Sequence, residues 1–164
     1  MPATIDPFAL RQALARFATG VAVVTGLGPD GAPVGLTVSS FASVSLDPPL
    51  VAWGLARRSR QGAAFRVGAA LAINVLGEGQ EALSRRFAGG PQAERFAGVG
   101  WRPGLGGAPL LEGCLASFEG IIRRRITAGD HWLLLCAAQR FAWRDGPPLL
   151  FFASRYGLAS AAAA

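Results

Sequence analysis

Glycine and proline are spread along almost the whole chain and divide it into many short apolar segments. The 164 residues include 22 glycines and 11 prolines, which recur at no fixed period. Because these residues punctuate turns, their distribution predicts many short elements rather than long helices or linker sequence. The length suits one domain, because two halves would each have a thin hydrophobic core. We therefore expect a single domain over residues 1–164, with a core at about 8–157 and a frayed tail at 158–164.

The composition excludes a disordered chain, because 51% of the residues are hydrophobic and only 16% are charged. The start of the chain shows no secretory signal. The longest apolar runs, such as 132–138, are far shorter than the roughly 18 residues that span a bilayer. The two cysteines make no disulfide framework, since hairpin pairing would put Cys136 opposite about residue 121 rather than Cys114. We expect reduced thiols in a cytoplasmic protein that does not span a membrane.

Most of the apolar segments predict β-strands, and only a few predict helices. Asp6 and Pro7 favour the start of a helix that presents Leu10, Leu14 and Phe17 on one face. Further helices are predicted at 61–67, after a possible Ser59 cap, and at 80–87. The predicted strands cover 21–25, 33–40, 41–45, 50–55, 70–76, 115–126, 132–141 and 149–152, with a hairpin turn at 128–130 and a glycine-rich loop at 98–107. Seven or so strands with few helices predict a mainly β, closed or nearly closed antiparallel barrel.

The net charge of +6 comes entirely from arginine. A nucleic-acid partner is one interpretation, and an arginine-biased composition with an anionic small ligand is the other. Arginines such as Arg57 and Arg86 lie at the ends of predicted elements, and Arg123–Arg125 alternate between the faces of a predicted strand. The aromatic residues lie mostly within apolar runs, whereas an OB-like nucleic-acid binder would expose them on one sheet face. We therefore favour the small ligand and expect no nucleic-acid partner, with the OB-like binder as a less favoured alternative.

The usual catalytic machinery is missing. Residues 77–82 match G-x-G-x-x-A, but the segment about 20 residues later is turn-like, so we reject a dinucleotide-binding Rossmann unit. One histidine, His131, and two distant cysteines cannot form a metal site, and His131 has no G-x-S-x-G partner for hydrolysis. An enzyme of this kind suits a reaction that needs little acid–base help, such as hydride transfer between a nicotinamide and a flavin.

The sequence resembles the short-chain flavin reductases, which are the reductase components of two-component flavin-dependent monooxygenases. The resemblance extends from about Phe8 to Tyr156 and is most specific over 35–51, GLTVSSFASVSLDPPLV. It recurs in order at 17–25, 73–76, 83–88, 129–131 and 148–151.

This resemblance implies a flavin-binding split β-barrel of the Greek-key type, with a few short flanking helices and a homodimeric assembly. It implies hydride transfer from NADH or NADPH to FMN or FAD, and supply of the reduced flavin to a partner monooxygenase. A flavin-binding split barrel that stores or senses flavin without catalysis is an alternative.

The resemblance also implies a set of site residues. Those expected to hold flavin are Thr37, Val38, Ser39, Ser40, Ser43 and Phe87, with Arg58, Ser59 and Arg85 at its phosphate. Ser39 stands where the family often has Asn. Arg155 and Tyr156 are expected at the dinucleotide, and His131 is the expected catalytic residue beside the nicotinamide or the flavin edge. The ordinary alternatives are exposed strand residues for the serines, a plain helix cap for Ser59 and a turn residue for His131. For Arg58 and Arg85 the alternative is a solvated surface charge, and for Arg155 and Tyr156 it is packing of the C-terminal segment.

Overall fold

The structure is a computed structural model that describes residues 5–158. Its helices are α1 (Pro7–Leu14), α2 (Glu81–Ala88) and α3 (Gln92–Arg95), with 3-10 segments at Arg60–Ala63, Glu78–Gln80 and Leu105–Gly107. Its strands are β1 (Thr19–Gly20), β2 (Ala22–Leu27), β3 (Pro33–Val38), β4 (Ala42–Leu46), β5 (Pro49–Ala56), β6 (Ala70–Val75), β7 (Trp101–Pro103), β8 (Pro109–Leu111), β9 (Ala116–Ala128), β10 (His131–Trp143), β11 (Leu149–Phe152) and β12 (Arg155–Leu158). Within this part of the chain, no helix is long and apolar enough to cross a membrane.

The main sheet curls into a barrel. Its strands follow the order β3-β2-β6-β9-β10-β5-β4, and every neighbouring pair is antiparallel. The two edge strands, β3 and β4, are consecutive in sequence and joined only by residues 39–41. Four Cα–Cα steps span at most about 15 Å, so the two edges of the sheet must approach each other there. The predicted antiparallel, mainly β class is confirmed.

Two apolar clusters lie on opposite faces of β2. Val24 belongs to the cluster inside the barrel with Trp53 and Phe65, whose rings meet edge to face at 5.0 Å. Val23 belongs to the second cluster, which includes Phe87 of α2. Because β2 is covered on both faces, its residues 22–26 are all buried, without the alternation of a strand that has one exposed face.

Several predicted elements have different bounds in the structure. Asp6 caps α1 through the backbone N–H groups of Phe8 and Ala9, as expected, but the helix ends at Leu14 and has no buried residue. The helix predicted at 61–67 is only the 3-10 segment Arg60–Ala63. The predicted loop at 98–107 contains β7, which pairs with β8.

The chain continues beyond the predicted last strand. β12 pairs with β11 through a tight turn in which Ala153 and Ser154 have φ of 48° and 62°. Such a turn usually carries Gly, Asn or Asp, so its sequence gave no turn signal. Leu158, the first residue of the predicted frayed tail, is paired with Leu149 and belongs to β12. The rest of that tail, 159–164, lies outside the described residues.

The β9–β10 hairpin turns at Gly129 and Asp130, as predicted. Bulges shift its register, so that Cys136 is opposite Ile122, and both cysteines are free thiols. His131 is the first residue of β10 and is paired with Ala128 on one side and Ala56 of β5 on the other. The hairpin tip therefore lies beside the end of β5.

Candidate active site

A cleft of about 500 Å³ lies where the end of β5 meets the hairpin tip. Its lining residues are Ala56, Arg57, Arg58, Asp130, His131 and Trp132. The backbone N–H of Arg57 donates to the Asp130 carbonyl at 2.9 Å, and Nη1 of Arg57 donates to the Gly129 carbonyl at 3.4 Å. These bonds fasten the β5 end to the hairpin, so the cleft has a defined wall with two arginines on it.

The imidazole of His131 is held by its neighbour. Nδ1 of His131 lies 2.7 Å from Oδ1 of Asp130. The hydrogen bond from His131, and then the charge of its ring, lower the pKa of the Asp130 carboxyl. In the neutral imidazole with its proton on Nδ1, that proton is donated to the carboxylate and Nε2 keeps a free lone pair. Sequence reasoning gave Asp130 only a role in the turn, whereas the structure also gives it the orientation of the His131 ring.

Ser40, in the segment that follows β3, lies near His131 and the cleft. Oγ of Ser40 accepts a hydrogen bond from the Gly54 backbone N–H at 2.9 Å. A Cβ built on Gly54 would lie 3.5 Å from Ser40 Oγ and 3.8 Å from His131 Cδ2. Gly54 therefore leaves open the space between Ser40 and His131. Ser39 and Ser43 are also exposed, whereas Val38 is buried in the barrel core and offers a ligand only its backbone.

Ser59 caps the short 3-10 segment that follows β5. Its Oγ accepts from the Gln61 backbone N–H at 3.3 Å and donates to Gln61 Oε1 at 2.6 Å. Gln61 Nε2 in turn donates to Gln92 Oε1 at 3.0 Å, so the turn is tied to α3. Arg58, the preceding residue, is exposed and lines the His131 cleft. The structure thus brings Arg58, Ser59, Ser40 and His131 to one end of the barrel.

The remaining predicted residues form a separate group around α2. Thr37 Oγ1 donates to the Ser84 carbonyl at 2.6 Å, and Ser84 Oγ lies 2.8 Å from the Tyr156 hydroxyl. The Arg85 guanidinium lies over the Tyr156 ring at 4.7 Å and pairs with Glu81 at 2.7 Å. Tyr156 and Thr37 already have partners within the chain, which favours a supporting role for both. Arg155 is exposed on β12.

Phe87 does not join either group. It is fully buried in the second cluster, where its ring meets Phe96 edge to face at 4.9 Å. A contact between Phe87 and a flavin is therefore not part of the site that the structure assembles.

Two residues that were not predicted at the site, Arg57 and Trp132, line the cleft. The pairing of β10 with β5, which the sequence did not show, is what brings them in.

The fold is that of solved flavin reductases. The structure superposes on the NADH:FAD oxidoreductase SgcE6 of Streptomyces globisporus with a TM-score of 0.90 and 33% identity, over 99% of both chains. Residues 14–160 match the model of the flavin reductase like domain, and the chain belongs to that family.

Curated relatives agree with this assignment. The chain is 44% identical over 147 residues to the FMN reductase (NADH) SmoA of Agrobacterium fabrum, covering 90% of this chain and 83% of that protein. It is 36% identical over 159 residues to HsaB of Mycobacterium tuberculosis, the reductase subunit of a flavin-dependent monooxygenase, covering 95% and 84%.

Proposed function

We propose that this chain is an NAD(P)H-dependent flavin reductase that transfers hydride from NADH or NADPH to FMN or FAD. The observation that carries the proposal is the convergence of His131, Arg57 and Arg58 in one cleft, beside Ser40 and the Ser59 turn. The relatives described above include an FMN reductase (NADH) and an NADH:FAD oxidoreductase, which favours NADH as the electron donor.

The residues of the cleft fit two anionic ligands. Arg57 and Arg58 are exposed guanidinium groups that suit phosphate oxygens, and the Ser59 hydroxyl lies on the turn that follows them. A Cβ built on Gly54 would be in van der Waals contact with Ser40 and His131, so the glycine keeps the surface between these two side chains free of a methyl group. These features match a flavin and a nicotinamide dinucleotide better than a neutral ligand.

A bound flavin supplies the acceptor for the hydride that the nicotinamide provides. The task of this chain is then to bind, to orient and to exclude side reactions. His131, with its ring fixed by Asp130, orients the dinucleotide through a hydrogen bond at Nε2. Residues 37–40 hold the flavin ring through backbone groups and the Ser40 hydroxyl, while Arg58 and Ser59 hold its phosphate.

The direct test is nicotinamide oxidation by the purified protein with FMN, FAD or riboflavin in turn. We expect oxidation of NADH only when one of these flavins is present. Flavin binding without oxidation of NADH or NADPH would instead indicate the non-catalytic flavin-binding alternative.

We further propose that the reduced flavin serves a partner monooxygenase, as the name of HsaB states for that relative. The test is product formation by a flavin-dependent monooxygenase that has been separated from its own reductase. Addition of this chain with NADH and flavin should restore the product, and addition of the His131→Ala variant should restore it more slowly. We place the protein in the cytoplasm, where NADH is supplied, and cell fractionation tests this.

A homodimer accounts for the apolar side chains that the single chain exposes. The most exposed large apolar residues have exposed fractions from 66% to 95%; they are Ile5, Phe8, Leu14, Phe17, Leu46, Phe141 and Trp143. Two of these are aromatic residues at the end of β10, Phe141 and Trp143, which are 72% and 71% exposed. A second copy covers such surfaces in symmetric oligomers. Light scattering should give twice the chain mass of 17.0 kDa, and the single-chain mass at micromolar concentration would contradict the homodimer.

A further inference from the structure

Arg125 differs from the two arginines that precede it. Arg123 and Arg124 are exposed, whereas Arg125 is half-buried. Its guanidinium carbon lies only 3.3 Å from the centroid of the Trp132 ring. Its Nη1 donates to the backbone carbonyl of Gly62 at 3.0 Å. The Arg125 guanidinium thus lies over the Trp132 ring of the hairpin and also donates a hydrogen bond to the turn that follows β5.

Gly62 is in close contact with both partners. A Cβ built on Gly62 would lie 3.2 Å from Trp132 Cζ3 and 3.5 Å from Arg125 Nη2. The near end of the same turn is fastened to the hairpin by the Arg57 N–H and the Asp130 carbonyl. Ser59 lies in sequence between Arg57 and Gly62, and the hydrogen bonds of these two residues to the hairpin fix the position of Ser59 relative to it.

We propose that Arg125 is a positioning residue for the reductase reaction. Through Gly62 it holds the Ser59 turn against the hairpin that carries His131, and it thereby fixes the spacing between the phosphate site and the dinucleotide site. This inference rests on the proposed function, because it assumes that the Ser59 turn receives the flavin phosphate. Arg125 acts through the turn and the Trp132 ring rather than by contact with either ligand.

The role depends on the shape of the guanidinium and not on its charge. A lysine keeps the positive charge but lacks the planar fork that stacks on an aromatic ring and donates sideways. Arg125→Lys and Arg125→Met should therefore have similar effects. Arg124→Met, on the same strand and exposed, is the matched control.

The measurement compares FMN with riboflavin, which lacks the phosphate. We expect the KM for FMN, relative to that for riboflavin, to rise about tenfold in Arg125→Lys and Arg125→Met. A displaced Ser59 turn would lose about one hydrogen bond to the charged phosphate, and the loss of such a bond has effects of this order. The ratio should stay at its wild-type value in Arg124→Met. A wild-type ratio in Arg125→Lys with an altered ratio in Arg125→Met would overturn the proposal, because charge alone would then suffice.

A second substitution tests the same contact from the other side. Gly62→Ala places a methyl group against Trp132 and should raise the same KM ratio of FMN to riboflavin. This variant replaces the Arg125 variants in the test if they do not fold. A lower melting temperature with an unchanged ratio in both Arg125→Met and Gly62→Ala would show a merely structural contact and overturn the inference. Absence of NADH oxidation by the wild-type protein with every flavin is a different result, which refutes the proposed function itself.

Discussion

Replacement of His131 by alanine separates a functional role from a structural one. The side chain is half-exposed, and its polar contact in the structure is the 2.7 Å bond to Asp130, whose carboxylate is 94% exposed. Little packing is therefore lost, and surface substitutions of this kind change stability by less than about 0.5 kcal/mol. If His131 orients the nicotinamide, loss of that hydrogen bond removes about 1–3 kcal/mol of transition-state stabilisation, or roughly one to two decades of kcat/KM.

The assay follows flavin reduction by stopped-flow absorbance under anaerobic conditions over a range of NADH concentrations. We expect kcat/KM for NADH to fall by roughly ten- to a hundredfold in His131→Ala, while the Kd of the flavin changes by less than about twofold. Asp130→Asn keeps an oxygen that can accept from Nδ1, so it should cause a smaller loss. Unchanged kinetics in His131→Ala together with a lower melting temperature would refute the reasoning and make His131 a turn residue.

Other variants test the packing around the site. Tyr156→Phe removes the 2.8 Å contact with Ser84 and should lower the free energy of unfolding by about 1 kcal/mol in urea titration; an unchanged value would mean that the contact is not formed. Gly35→Ala places a Cβ 2.7 Å from the buried Phe87 ring and should cost about 1–3 kcal/mol, with an unchanged melting temperature as the contrary result. Burial raises the pKa of the Cys114 thiol from 9.0 to about 11, so iodoacetamide near neutral pH should label Cys114 roughly a hundredfold more slowly in the native than in the unfolded protein; equal rates would contradict this.

The fold followed from local patterns where those patterns were strong. Asp6 and Pro7 start α1, a β-branched run forms β2, a mostly apolar run forms β6, and Gly129 turns the long hairpin, because each of these depends on residues that are close in sequence. β12 was missed because its turn at Ala153 and Ser154 has none of the residue types that favour positive φ. Short strands such as β7 form because of pairing with a distant partner, which local sequence does not reveal.

The site was only partly predictable for the same reason. Ser40 and His131 were identified by resemblance, and the structure brings them to either side of Gly54. Phe87 was expected at the flavin, but the second cluster, built from several distant elements, encloses it. The contact of Arg125 with Trp132 and Gly62 depends on how the turn after β5 packs on the hairpin. The sequence predicts only that the three consecutive arginines alternate between strand faces, and the contacts with Trp132 and Gly62 are what distinguish Arg125.

Hydride transfer from a nicotinamide dinucleotide to a flavin by this chain can be observed directly. The most direct measurement mixes the protein and flavin anaerobically with NADH that carries deuterium at the transferred position, and follows the loss of flavin absorbance. We expect complete reduction of the flavin, at a rate lowered by the isotope and much faster than in flavin and NADH without protein. A bound flavin that stays oxidised with both NADH and NADPH would contradict it.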